Sequence, residues 1–403
     1  MSVEAAAIDG KPVRLTGKPL IFFLTLLAAL GMLATNMYLA SFPSIGRDLA
    51  ASPAQVKLTL TVFLLGFAFG QLVIGPLSDM LGRRPLLLAG LIVYAITSVL
   101  CAIATHIDWM IGIRIVQAVG ACTGSVIARA VARDLFQGDA LTRSLAMITT
   151  LVAVAPGFSP LLGGIIETLV GWRGTFAFLA LVGAFAAAVV WLRIPETHDA
   201  RDSAPKLGEA FASYFELLGT RAFLVPGLSI ACAMAGLFAF FASAPIIFIE
   251  HFGVAPIVFG TIPCFTVFAV FAGGFSAPRL AKRWSGMKPI LFGLTIMLIG
   301  ASAMFAAAYL NYAGMPQVLA TLMIFLFGMG IVSPLSTVVA MRPFPEKAGA
   351  ASALIGFCQM AGGALGTILL SLLPFPLLQA LPTVMAGGAI IGLGAVLLFG
   401  KRS

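Results

Sequence analysis

Charge is what this sequence has least of. Acidic and basic residues make up 10% of its 403 residues, against roughly 25% in a soluble domain, so a water-facing exterior cannot be assembled from them. Histidine is almost missing: His106, His198 and His251 are the whole supply. None lies deep in an apolar run, and no His-Glu-x-x-His or Gly-x-Asp arrangement stands in a credible context. An intramembrane or metal-dependent enzyme is therefore not expected, and no cofactor is called for. The five cysteines (Cys101, Cys122, Cys232, Cys264, Cys358) sit inside apolar stretches without metal-type spacing, and read as small buried side chains rather than disulfide or metal partners. No Gly-x-x-x-x-Gly-Lys-Ser/Thr loop cradles a nucleotide phosphate, which excludes an ATP-driven pump. A repeated filter motif, as in a channel, is absent. So is the strict alternation that a membrane barrel needs.

Apolar residues fill the chain instead, at 60% of the total and a mean hydropathy of +1.07. A spanning helix needs about 20 mainly apolar residues, and twelve stretches meet that rule: 20–40, 56–78, 85–105, 107–130, 141–168, 174–194, 222–249, 254–278, 287–309, 316–341, 346–373 and 377–400. The expected fold is an all-α membrane protein. Lys11, Arg14 and Lys18 precede the first stretch, which is long enough to span, and Tyr38-Leu39-Ala40 is no clean cleavage site; it reads as helix one rather than a signal peptide. With both termini cytoplasmic, 20 of the 24 Lys and Arg fall on the cytoplasmic side, while Arg47, Lys57 and Arg173 fall opposite. That is a strong positive-inside bias, and it supports an even number of crossings. The net charge of +9 thus belongs to loops, not to a nucleic-acid-binding stripe.

The most polar stretch carries Glu196, Asp199, Asp202, Glu209 and Glu216 against four bases in or beside it, Arg193, Arg201, Lys206 and Arg221, and reads as a solvated cytoplasmic linker over 195–221. It separates a six-helix bundle at 1–194 from another at 222–403, a plan that places a cavity between related halves. The turn after helix two, Gly75-Pro76-Leu77-Ser78-Asp79-Met80-Leu81-Gly82-Arg83-Arg84-Pro85, has a faint echo after helix eight, with basic residues and glycine but no acid. Its glycines permit a tight turn, Asp79 suits the positive end of another helix, and Arg83 and Arg84 can pair with acids on neighbouring helix ends. Arg114 lies within helix four. A charge there costs about 2.5–3.5 kcal/mol on insertion scales, so it must face protein, water or, if shallow, the helix edge. Gln117 falls one turn further in on the same face.

The turn after helix two resembles the signature loop of the major facilitator superfamily. Arg114-Ile-Val-Gln117-Ala-Val-Gly120 resembles its helix-four motif. Pro156-Gly157-Phe158-Ser159-Pro160-Leu161-Leu162-Gly163-Gly164 resembles its antiporter motif, with Ser159 in place of a glycine. More narrowly, Asn36 to Pro43, Val131-Ala-Arg133-Asp134 and Ser243 to Val254 resemble the Bcr/CflA drug-efflux family, which includes bicyclomycin and chloramphenicol exporters. The resemblance implies a bacterial inner-membrane carrier of small amphipathic drugs or metabolites, monomeric, exchanging substrate for protons by alternating access. It further implies that Asp79 locks onto the start of helix eleven near 346–350 in the outward-open state. Arg83 pairs with Asp134, Arg114 faces the central cavity and tunes proton release, and the helix-five glycines and prolines bend that helix against its neighbour across the bundles.

The main departure is Asn36, where the family carries an aspartate expected to shuttle the proton. Asn keeps the shape and hydrogen bonding of a protonated Asp but cannot titrate. Glu167, Glu250 and His251 lie near periplasmic helix ends, where a solvated end is the favoured reading. Coupling would need one of these or an acid on the substrate. The competing expectation is therefore a metabolite exporter or facilitator not coupled to protons through helix one. Phe240 and Phe241 in helix seven, with Met32, Met37 and Met147, are soft side chains that suit a cavity for varied apolar solutes, although lipid or a neighbouring helix accounts for most such residues.

Overall fold

The computed structural model describes residues 17–198 and 207–400. Lys11, Arg14, Asp199, Arg201, Asp202, Lys206, Lys401 and Arg402 lie outside the described residues. Among the described residues, twelve helices are long and apolar enough to cross a membrane: α1 Gly17–Asp48, α2 Pro53–Leu81, α3 Arg83–Ala102, α4 Ile107–Leu135, α5 Gly138–Val170, α6 Trp172–Arg193, α7 Arg221–His251, α8 Pro256–Arg283, α9 Lys288–Tyr309, α10 Met315–Met341, α11 Pro345–Leu372 and α12 Leu377–Phe399. Among the described residues there is no strand. In lipid every backbone N–H must find its partner within the segment, which only helices and closed barrels achieve. An even count brings Gly17 and Gly400 to one end of the molecule, here the terminal end; the opposite one is the far end.

Local sequence sets the helix ends. Ser52 and Gln55 form a capping box with Pro53 in the first turn of α2, satisfying donors that the helix cannot. Helix one runs past its expected end at 40 to Asp48, with a 3-10 segment at Met37–Ser41 between two α-helical parts. Pro43 has no N–H for the carbonyl four residues back, so the ladder changes pitch there without stopping. An apolar window does not register that change.

The helices group as α1–α6 and α7–α12, and the bundles meet along two seams, α2 against α11 and α5 against α8. Moving each helix on by six converts the first seam into the second. The same operation carries α2/α4 into α8/α10 and α3/α6 into α9/α12. One approximate two-fold relation therefore organises the molecule.

The solvated-linker expectation needs correction in two places. Glu196 is drawn into a network of hydrogen bonds described below. Leu207–Leu218 forms an amphipathic helix, with Ala210, Tyr214 and Leu217 buried and Phe215 exposed. The Tyr214 hydroxyl donates to the Leu72 carbonyl of α2 at 3.0 Å, and Glu216 pairs with Lys347 at the start of α11. Apolar residues at helical spacing make a stripe that a tally of charges conceals.

Candidate transport machinery

Asn36 ends the first part of α1 and is fully buried. Its Nδ2 donates to the Met32 carbonyl at 2.8 Å and to Thr35 Oγ1 at 3.3 Å, while Oδ1 has no partner among the described residues. The next residues of the kink seal against α5: a Cβ on Gly163 would overlap the Met37 carbonyl oxygen. Beyond the kink, Ser41 and Ser44 both donate to the Glu167 carboxylate, the latter at 2.6 Å. Glu167 is thus a bound group, not the solvated helix end expected of it.

Arg114 differs from its expected place on a central cavity. It is 0% exposed, with its guanidinium 4.3 Å from the ring centres of both Tyr38 and Phe63. Rings on both sides stabilise a desolvated cation through their negative faces and shut it inside the first bundle. Nη1 donates to Gln117 Oε1 at 2.7 Å, and Gln117 Nε2 donates to Ser98 Oγ at 2.7 Å. The pair read one turn apart does form one polar spot. Nε and Nη2 of Arg114 and the Tyr94 hydroxyl have no hydrogen-bond partner among the described residues.

After α2 the chain turns on Gly82 alone. Its φ of +91° favours glycine, and a Cβ there would lie 2.7 Å from Glu196 Oε2. Gly75 stays helical and meets nothing within 4 Å, so only one of the two glycines makes the turn. Glu196 accepts from the backbone N–H groups of Arg83 and Arg84, at 2.8 and 3.1 Å, where a carboxylate also balances the positive end of α3. Arg83 pairs with Asp79 and, at 3.3 Å, with Asp134, and Thr197 Oγ1 donates to Asp134 at 3.0 Å. Among the described residues Arg84 pairs with no acid: its Nη2 donates to the Trp191 carbonyl at 2.7 Å. Asp79 is engaged here by Arg83, in its own segment, in place of the start of α11. It also faces Tyr214: burial first, and the Asp79 charge second, push that phenol up to about 12.

The α5/α8 seam is glycine-backed. Cβ atoms on Gly164 and Gly260 would lie 2.6 and 2.7 Å from the Pro256 and Pro160 carbonyl oxygens, and one on Gly157 would lie 3.1 Å from Val267. Small residues let helix backbones approach in lipid, where packing replaces the hydrophobic effect. Pro156 and Pro160 stand inside α5, and Cys264 Sγ donates to the Gly157 carbonyl that faces it at 2.8 Å. The α2/α11 seam joins Thr61 to Thr367 at 2.7 Å and sets Phe69 against Phe357.

Phe240 and Phe241 lie in the core of α7, their rings 5.8 Å apart. A groove of about 420 Å³ between α2 and α4 is bordered by Val62, Phe69, Val73, Ile115 and Val119, all apolar. A pocket of about 210 Å³ at the far end lies between α1–α2 and α7, with Phe42, Arg47, Ile246 and Glu250 in its wall. Sequence reading missed Glu196 and the Ser41–Ser44–Glu167 cluster. Two serines before a bulk-free helix end carry no motif, and Glu196 was hidden among linker acids.

A profile of the Major Facilitator Superfamily matches residues 24–367. An uncharacterised superfamily-type transporter of Bacillus subtilis is 32% identical over 94% of this chain and 95% of its own. A bicyclomycin resistance protein homolog of Haemophilus influenzae is 32% identical over 86% of this chain and 87% of its own. A bacterial homolog of the lysosomal transporter Spinster, solved inward-facing and unoccupied, superposes with a TM-score of 0.70 over 96% of both chains at 17% identity.

Proposed function

As the chain belongs to the Major Facilitator Superfamily, we propose that it is a monomeric secondary-active efflux transporter of small amphipathic drugs or metabolites. Its two bundles rock about a central path, and its terminal end is cytoplasmic in a bacterial inner membrane. The supporting observation is the pair of seams, α2/α11 and α5/α8, exchanged by one approximate two-fold relation. Such a joint lets one bundle swing on the other without breaking either. The 20-to-3 distribution of Lys and Arg supports the orientation. Kinship to a bicyclomycin resistance protein homolog supports export of antibiotics.

Proton antiport is the first reading of the driving force. The buried, non-titrating Asn36 favours a second, in which helix one carries no proton. Proteoliposomes containing a pH-sensitive dye separate them: substrate-induced proton movement is expected only in the first. Asn36→Asp should raise gradient-dependent export if the helix-one route operates, and equal export by both proteins rejects that route.

A further inference from the structure

A proline inside a spanning helix deprives one carbonyl of its helical donor, and in lipid that carbonyl must be satisfied from elsewhere. Pro76 stands inside α2, so the carbonyl it deprives is that of Leu72, four residues back. The donor that reaches it is the Tyr214 hydroxyl of the linker helix, at 3.0 Å. Prolines also stand inside α5, α7, α8, α10 and α12. Among the described residues, no side chain donates to the carbonyl four residues before any of those; Leu72 is the one so served. The bond also crosses between the bundles. Tyr214 and Leu217 sink into a small apolar cluster with Phe223 of α7 and Ala351 and Leu354 of α11, and Glu216 pairs with Lys347 at the start of α11. To this cluster the first bundle contributes, among the described residues, Leu72 alone. The linker helix is thus seated on the second bundle and tied to the first at a single point.

We infer that Tyr214 is a positioning residue of the rocking cycle. It latches the linker helix, carried by the second bundle, to the open carbonyl of α2, and so holds the terminal half of the α2/α11 seam shut. Gln71, beside Leu72, packs there so closely on α11 that a Cβ on Gly356 would overlap its Oε1. One hydrogen bond is the right strength for such a latch. A bond of ordinary net strength shifts a two-state equilibrium about fivefold, enough to bias the seam without freezing it. When the bundles part at the terminal end the bond breaks, and closure remakes it. The inference rests on the rocking of the two bundles proposed above and adds the element that holds one end of it.

Gln71 is buried in the seam and serves as its reporter. In the full chain with Cys101, Cys122, Cys232, Cys264 and Cys358 replaced, Gln71→Cys is alkylated by N-ethylmaleimide while the seam is parted, at a rate proportional to that fraction of time. Tyr214→Phe should speed this labelling about fivefold. Pro76→Ala gives the Leu72 carbonyl a helical donor, so in that background Tyr214→Phe should speed it by under about twofold. Cys122, buried in the first bundle and kept as the sole cysteine of a parallel chain, should label at one rate with and without Tyr214→Phe. An unchanged rate at Gln71→Cys, an equal acceleration at Cys122, or a full effect that persists with Pro76→Ala overturns the latch. Chloramphenicol counterflow in proteoliposomes probes the efflux reading separately. No exchange by the native chain counts against that reading, whereas an acceleration that Pro76→Ala abolishes upholds the latch whether or not chloramphenicol exchanges.

Discussion

A single carbon atom is enough to test the seal at the kink of α1. The Met37 carbonyl occupies the space where Gly163 would carry a Cβ, and both partners are backbone, so neither can swing aside. Gly163→Ala should cost about 1–3 kcal/mol, the usual penalty of overpacking. It should appear as a lower melting temperature of the detergent-solubilised protein, whereas Gly112→Ala, which meets nothing within 4 Å, should melt as the native chain does. Tyr214 offers a second residue-scale test. Burial and Asp79 raise its phenol to about 12 from an ordinary value near 10. The folded state therefore holds the phenolic proton more tightly than the unfolded one. The docking energy this supplies is complete below about pH 10 and is lost between about pH 10 and 12. The phenolate absorbance difference between the native chain and Tyr214→Phe should rise with its midpoint near pH 12; a midpoint near pH 10 would contradict the burial.

At the scale of elements, helix ends carry most of what distinguishes this chain from a generic set of apolar rods. The start of α3 is the clearest case, because its first N–H groups are satisfied from a distant segment, by Glu196. Glu196→Ala removes that acceptor and strands Arg83 and Arg84 N–H. The expected loss is about 0.5–2 kcal/mol, the range for deleting a helix cap, read as faster hydrogen exchange across the first turn of α3. Glu196→Gln should recover part of the protection, since an amide oxygen still accepts. The motif around Gly82 was legible as a turn, and the arginines as bases at a helix end. Their partners were only half legible: Asp134 follows from a family resemblance, whereas the Trp191 carbonyl that takes Arg84 is backbone and leaves no mark in a sequence. The linker helix was illegible for another reason: its buried stripe at Ala210, Tyr214 and Leu217 sits among charges that dominate a composition window.

For the whole molecule, the far end joins the bundles through the second part of α1 and the end of α7. Phe42 and Ile246 border the same pocket from opposite bundles. In a background where Cys101, Cys122, Cys232, Cys264 and Cys358 are replaced, Phe42→Cys with Ile246→Cys should cross-link under mild oxidation. Alternating access requires this contact to open, so transport should fall to background and return on adding dithiothreitol. Undiminished transport by the fully cross-linked protein would refute rocking at this gate.

The sequence alone determined the twelve crossings, their helical character and the charge asymmetry of the loops. Each of these follows from the solvent: hydrocarbon demands about 20 apolar residues per crossing and leaves no backbone N–H unsatisfied. The tertiary structure decided what each polar residue in those crossings touches. Arg114 and Arg129 lie on the same helix, yet rings enclose one and the other stays accessible. Helix rotation and the neighbours across a seam set that difference. Both arise from contacts between residues far apart in the chain, which no local pattern encodes.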